Sequence, residues 1–176
     1  MKIKLRRSSQ SDLENVYQLQ TECFNNSDQW YRSNIQHYLS NGIIIEIKET
    51  NEIIGILLQG NIIPCNKKMN MNTEQGYKED VFDPVNDQGR QFDPYQEYYG
   101  IVMICIHPNY RGKGLAKRLI EKHFDDNKDV LVCLNTRRSN INAYQLYKKM
   151  GYEHIGNIKN KYFLPSEDSI FMIKEK

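Results

Sequence analysis

The spacing of apolar residues changes several times along the chain, and each change marks an element. "KIKLR" alternates at period two and predicts a short strand near the N-terminus. Asp12 is placed to cap a helix in which Leu13, Val16, Leu19, Cys23 and Phe24 recur at helical spacing. A second helix is expected from Gln29 to Ser40, with Tyr31, Ile35, Tyr38 and Leu39 on one face. "NGIIIEIKETNEIIGILLQG" carries two β-branched runs around a polar turn at Thr50 and Asn51, which reads as a hairpin. "YYGIVMICIH" is another strand. It leads into a helix beginning near Gly114, whose stripe is Leu115, Ala116, Leu119, Ile120 and Phe124. "DVLVCLN" is a further strand. Asn140 then opens a helix with Ala143, Leu146, Tyr147 and Met150 inward, two lysines in the last turn and Gly151 to stop it. Two final strands fall near Tyr152–Ile158 and Tyr162–Ile173.

From Ile63 to Glu97 the pattern lapses. The stretch is polar, holds three of the five prolines and contains a loose doublet, "VFDP" and "QFDP". Two four-residue copies do not build a solenoid, so the stretch reads as an insertion between two strands. Its acidic residues Glu74, Glu79, Asp80, Asp83, Asp87 and Asp93 are either solvated or part of a flap favouring a basic or amine-bearing substrate. The order β-α-α-β-β-(insertion)-β-α-β-α-β-β predicts an α/β fold with a mixed sheet, in one domain spanning 1–176.

Composition narrows the chemistry. The net charge of +2 in 176 residues gives little support to a nucleic-acid binder, so any basic patch is local. Four separated cysteines form no CxxC pair, and Cys105 and Cys133 lie in strand-like runs, as reduced core thiols in a reducing compartment do. The basic start lacks the apolar stretch of a signal peptide, and no run reaches the length of a membrane span. The expectation is a cytoplasmic, soluble protein, monomeric or a weak homodimer, contacting neither membrane nor nucleic acid. His37, His107, His123 and His154 lack ligand spacing, so no metal is expected.

The stretch "HPNYRGKGLAKRLI" holds the sharpest local signal. It lacks the gap of a P-loop, and Lys117 stands where the dinucleotide fingerprint needs a third glycine. What remains is a strand, a Gly-containing turn and a helix start. Backbone N–H groups and the positive end of the helix dipole would converge where a pyrophosphate can sit. Small residues at Gly112, Gly114 and Ala116 admit the ligand beside Leu115, while Arg111, Lys113 and Lys117 add charge. Alone, the stretch reads equally as a Gly turn followed by a solvated basic helix face.

Arg111-x-x-Gly114-x-Ala116 after an apolar strand resembles the R/Q-x-x-G-x-G/A motif of the GNAT superfamily of N-acetyltransferases. "SNINAYQLYKKMGY" is similar to that family's second motif, through Asn140, Ala143, Leu146, Tyr147, Gly151 and Tyr152. The two motifs cover about the last half of the chain. The resemblance implies a mixed, mostly antiparallel sheet of about seven strands flanked by about four helices. It also implies acetyl-coenzyme A as co-substrate, its pyrophosphate on the Arg111–Lys117 loop. A strand bulge at Ile104, Cys105 and Ile106 would pair with the pantetheine arm and polarise the thioester carbonyl. Asn140 and Ala143 would meet the cofactor, and Tyr147 would protonate the departing thiolate. The alternative for Tyr147 is a buried tyrosine with a satisfied hydroxyl.

The tail "KNKYFLPSEDSIFMIK" resembles that of protein N-terminal acetyltransferases, most closely the ribosomal-protein-alanine type. There Tyr162 and Phe163 match paired tyrosines and Glu167-Asp168-Ser169 an acidic step. "CFNNSDQWYRSNI" resembles the loop that lines their peptide groove, which makes Tyr31 and Tyr162 candidate substrate contacts. Asn135 occupies the position where those enzymes often carry a Glu or His base. An amide accepts no proton at neutral pH but can hold a water, leaving Tyr99, Tyr98 and Glu97 as candidate bases. The expected acceptor is a protein N-terminal α-amine. A small-molecule amine or lysine side chain, and a catalytically weak sensor or scaffold, stand as alternatives.

Overall fold

The computed structural model describes residues 1–65, 81–85, 92–163 and 166–175, without the side chains of 160, 162 and 163. They form eight strands and four α-helices in the order β1 (Ile3–Arg7), α1 (Leu13–Cys23), α2 (Arg32–Leu39), β2 (Ile43–Ile47), β3 (Ile53–Ile62), β4 (Phe82–Pro84), β5 (Tyr98–Ile106), α3 (Leu115–Asp126), β6 (Val132–Arg137), α4 (Ile141–Lys149), β7 (Glu153–Phe163) and β8 (Ser166–Lys174). This is the α/β class that the periodicity predicts, mixed and mostly antiparallel, with one strand more than expected. The residues group into two compact units, Met1–Gly60 with Ile101–Asp129, and Asn61–Gly100 with Val130–Lys176.

In the first unit the strands run β1-β2-β3-β5. The Thr50–Asn51 turn closes the hairpin, with Asn51 at φ 58°. All five residues of β2 are buried, as expected of a strand covered on both faces. One apolar cluster joins Val16 and Leu19 of α1, Ile35 and Leu39 of α2, Ile44 and Ile56 of the hairpin, and Met103 and Cys105 of β5. Asp12 does not bond the N–H groups of α1. Its carboxylate accepts both terminal nitrogens of Arg6 at 2.8 Å and the backbone N–H of Ser9 at 2.8 Å. A two-pronged guanidinium one strand away outcompetes the adjacent helix end. Arg6 also donates to the buried Glu46 at 2.6 Å.

His123 of α3 is wholly buried, with Nδ1 2.5 Å from Gln59 Oε1. Burial pushes its pKa down to about 4, opposed by Asp126 and reinforced by Arg7. The unfolded chain therefore binds this proton near pH 6.5 and the native protein only near pH 4. Stability present above pH 6.5 is lost as pH falls through that window, by about 3 kcal/mol at its lower end. Urea unfolding at pH 7 and pH 4.5 measures the loss, and His123→Gln should flatten it.

In the second unit the order is β6-β8-β7-β4, with every pairing antiparallel. Two boundaries depart from the sequence expectation. Tyr162 and Phe163 belong to β7, pairing with Glu167 and Ser166, and do not open the last strand. The insertion is also not wholly outside the sheet, because Phe82–Pro84 pair with Gly156–Ile158. A Cβ at Gly156 would fall 2.1 Å from the Phe82 ring, so the missing side chain makes the notch that ring fills. Phe82 and Phe92 lie 5.2 Å apart between centroids, and Phe92 stacks on Tyr98 at 5.1 Å. These rings pack on a core of Cys65, Cys133, Ile158, Phe171 and Ile173. Of the proposed acidic flap, Asp83 pairs with Lys159 and Asp93 caps a turn at Tyr95, while Glu74, Glu79, Asp80 and Asp87 lie outside the described residues.

Candidate active site

Within the first unit, the end of β5 delivers the chain into the loop singled out by its sequence. His107 leaves the strand with its N–H donating to Ile54 O at 2.9 Å, and Pro108–Tyr110 make one 3-10 turn. The His107 ring fastens this turn. Its Nδ1 accepts from the Asn109 N–H at 3.2 Å, so the ring proton is on Nε2, which meets Glu22 at 2.8 Å. Gly112 and Gly114 follow with φ of 75° and 73°, a left-handed conformation costing other residues about 1–2 kcal/mol each. A Cβ at either would meet nothing within 4 Å, so the glycines serve the backbone path and leave its outer side open.

Gly114 is the N-cap of α3. It has no side chain to offer the helix, and the first turn carries no acidic residue. The first helical bond runs from Arg118 N to Gly114 O, so helix geometry leaves the N–H groups of Leu115, Ala116 and Lys117 pointing out of the helix end. Such an end favours an anion through its donors and its dipole together.

The cationic side chains of Arg111, Lys113 and Lys117 all have partners within the protein. Arg111 donates through Nε to Ile106 O at 3.1 Å and through a terminal nitrogen to Cys23 O at 3.3 Å, bracing the loop against the end of α1. Lys117 pairs with Glu121 at 3.5 Å, and the Lys113 ammonium lies 5.0 Å from the Tyr110 ring centre. On β5, buried and half-buried positions alternate from Ile101 until Cys105 and Ile106, which are both buried. The Ile106 carbonyl accepts from Arg111 and from the Cys23 thiol at 3.3 Å, so of the three residues expected to face pantetheine this acceptor is already engaged. Ile104 is half-buried.

The α1–α2 connection is also in this unit. Buried Gln20 exchanges hydrogen bonds with the Trp30 backbone, at 3.0 and 3.3 Å. Arg32 sits over the Tyr17 ring at 3.8 Å and pairs with Glu14 at 2.9 Å. Tyr31, between these anchors, is 80% exposed and is the N-cap of α2, off the helix face the sequence had assigned it.

The remaining candidates belong to the second unit. Asn140 caps α4, its Oδ1 accepting from Ala143 N at 3.2 Å. Tyr147 is 5% exposed, with its ring edge-on to Tyr152 at 5.8 Å. Asn135 is half-buried on β6 opposite Phe171, with Ser169 Oγ 3.4 Å from its Oδ1. Tyr99 is half-buried on β5. Tyr98 is unsuited to proton abstraction, since burial raises its pKa and its hydroxyl donates to Asp93 O at 3.0 Å. The acidic step of the tail is held in ion pairs. Glu167 accepts from Arg137 and Ser139, which keep its carboxyl below the usual range against the opposing effect of burial. Asp168 meets Lys159 at 3.2 Å. Tyr162 lies on β7, and its side chain is outside the description. Sequence reasoning missed the roles of His107, Glu22 and Cys23 at the loop. Only the His-Pro step at a strand end hints at them.

Among the described residues, no group of three or more His, Cys, Asp or Glu is placed to hold a metal ion, and no helix is long and apolar enough to cross a membrane.

Comparison with known proteins adds three findings. The sequence model of the Acetyltransferase (GNAT) family matches residues 13–152. N-alpha-acetyltransferase RimI of Mycobacterium tuberculosis is 27% identical over 77 residues, 44% of this chain and 49% of the relative. The chain spans 21% and 49% of the lengths of the two curated relatives it matches. Among solved structures, the Escherichia coli ribosomal-protein-S18-alanine N-acetyltransferase superposes with a TM-score of 0.70 at 14% identity, covering 98% of this chain and 93% of the other. Arabidopsis thaliana NAA60 in complex with acetyl-CoA gives 0.73 at 17% identity, covering 99% and 100%.

Proposed function

We propose that this chain, which belongs to the acetyltransferase (GNAT) family, transfers the acetyl group of acetyl-coenzyme A to the N-terminal α-amine of a protein or peptide. The observation that carries the cofactor assignment is the start of α3, with two left-handed glycines, no capping side chain and no acid in its first turn. A pyrophosphate there is held by the N–H groups of Leu115, Ala116 and Lys117, with Gly112–Gly114 giving clearance and Arg111 fixing the loop. The likeness to RimI and to the S18-alanine enzyme supports an α-amine acceptor, as does Tyr31 on its braced loop.

The reaction is direct. The neutral amine attacks the thioester carbonyl carbon, and the oxyanion is stabilised by a backbone N–H of the Ile104–Ile106 segment. Collapse breaks the C–S bond, and the thiolate takes a proton from Tyr147. The amine's proton leaves through water, with Asn135 as the holder of that water and Tyr99 of β5 as the phenol that relays the proton. Asn140 and Ala143 are the residues of α4 that meet the cofactor.

Incubation with acetyl-coenzyme A and a panel of N-terminal peptides, with thiol release followed, tests the reading. Turnover only with polyamines or aminosugars would shift the acceptor to a small-molecule amine, and stabilisation by cofactor without turnover would make the protein a sensor. Gly114→Ala should weaken coenzyme A binding roughly tenfold, since relieving about 1–2 kcal/mol of left-handed strain turns the N–H groups away. Calorimetric titration reads this effect. The melting temperature should fall by about 2–8 °C, because the left-handed backbone strains any side chain even where the new methyl meets open space.

A further inference from the structure

We infer that Cys23 and Cys105 form a redox-sensitive pair, which a peroxide closes into an intramolecular disulfide tying the end of α1 to β5. Cys23 is the last residue of α1 and Cys105 the penultimate residue of β5, both in the first unit. Cys23 packs against the apolar cluster that contains Cys105, close enough for each thiol to bear on the ionisation of the other. The Cys23 thiol also donates to Ile106 O, one residue beyond Cys105. The Arg111 guanidinium, on the Cys23 and Ile106 carbonyls, places a fixed positive charge beside the pair.

The two thiols are unequal in the way such a reaction needs. The Cys105 S–H and then Arg111 hold the Cys23 thiol below its ordinary pKa, against burial and Glu22. Donation to Cys23, together with burial, holds Cys105 well above its own. Cys23 therefore ionises first, and it is the half-buried member while Cys105 is 6% exposed. Its thiolate attacks one peroxide oxygen, the O–O bond breaks, and a sulfenic acid and hydroxide form. The Cys105 sulfur then attacks the Cys23 sulfur, the S–O bond breaks, and the departing hydroxide leaves with the Cys105 proton as water. Two thiols and one peroxide give one disulfide and two waters. The other two cysteines supply an internal contrast. Cys65 and Cys133 are wholly buried in the second unit, and burial alone pushes Cys133 up to about 12.

The consequence for binding rests on the acetyltransferase reading. The crosslink removes the S–H bond to Ile106 O and draws Cys105 towards α1, displacing the strand end proposed to pair with pantetheine. Coenzyme A affinity should fall several-fold and return on reduction.

The test treats the reduced full chain with stoichiometric hydrogen peroxide and maps peptides without reduction. The expected product joins the Cys23 and Cys105 peptides, reverts with dithiothreitol, and leaves two of the four thiols titratable in denaturant. In Cys105→Ser, dimedone should trap Cys23 as the sulfenic acid, and in Cys23→Ser the Cys105 thiol should survive the same dose. Oxidation of Cys23 to the sulfinic acid with Cys105 still free, or linkage between chains, would overturn the pairing. Equal coenzyme A affinity before and after oxidation would overturn the effect on binding. Reduced protein that binds no coenzyme A, while the crosslink still forms, would count against the acetyltransferase reading alone.

Discussion

Gly100→Val is expected to prevent the protein from folding, and Gly100→Ala to lower its melting temperature by about 6–12 °C. A Cβ at Gly100 would lie 2.0 Å from the Cys133 carbonyl oxygen, 2.7 Å from its carbon and 2.8 Å from its Sγ. The first two atoms are backbone of β6, where Val132, Cys133 and Leu134 are buried and none can turn aside as a side-chain end would. Overpacking a buried site costs about 1–3 kcal/mol when neighbours can yield and more when they cannot. At about 2–4 °C per kcal/mol for a chain of this size, a loss near 3 kcal/mol gives the alanine shift. Valine adds two methyls to the same contact against a total stability of about 5–15 kcal/mol. Thermal melts followed by far-UV circular dichroism decide the matter. An alanine variant melting within 2 °C of the parent would show that the two strands part at this point without cost.

The second large effect is expected in catalysis. Tyr147→Phe should slow acetyl transfer on the order of 100-fold, within the range for loss of a general acid. Phenylalanine keeps the edge-on contact with Tyr152, so coenzyme A affinity should hold within about twofold and the fold should persist. A leaving-group series separates protonation from packing. Acetyl thioesters of more acidic thiols depart without help, so the defect should shrink as thiol acidity rises if Tyr147 supplies the proton. A constant defect would assign Tyr147 to positioning, and an unchanged rate would remove it from the mechanism.

Local signals made the hairpin legible. Apart from Glu46 and Gly55, Ile43–Ile47 and Ile53–Leu58 are isoleucine or leucine throughout, and a polar turn between such runs has few other outcomes. The start of α3 was legible as well, because two glycines just ahead of an apolar stripe set the path into the helix. What escaped were contacts that the spacing of apolar residues does not encode. Asp12 looks like a helix cap in its own neighbourhood, yet Arg6 and Ser9 claim its oxygens. Arg111 resembles a phosphate ligand by spacing, and nothing local shows that it also donates to carbonyls of β5 and α1. A three-residue strand carries too little periodicity to be seen. Phe82 found its place through a glycine 74 positions later, and register of that kind is absent from local pattern.

That short strand has a bearing on how copies of the protein behave towards one another. In the second unit β4 stands last in the strand order, covering the rim of β7 at Gly156–Ile158. A bare rim is a row of amide donors and acceptors that a neighbouring chain can zip onto. β4 fills that row and exposes a poor substitute, since Pro84 has no amide hydrogen to give and Asp83 brings a carboxylate already turned to Lys159. Without Phe82–Pro84 the candidate residues on the loop, α3 and α4 would all remain, while the exposed rim would invite aggregation as the protein is concentrated. Three residues outside the candidate site thus bear on how much of the protein a cell or a test tube can hold in solution.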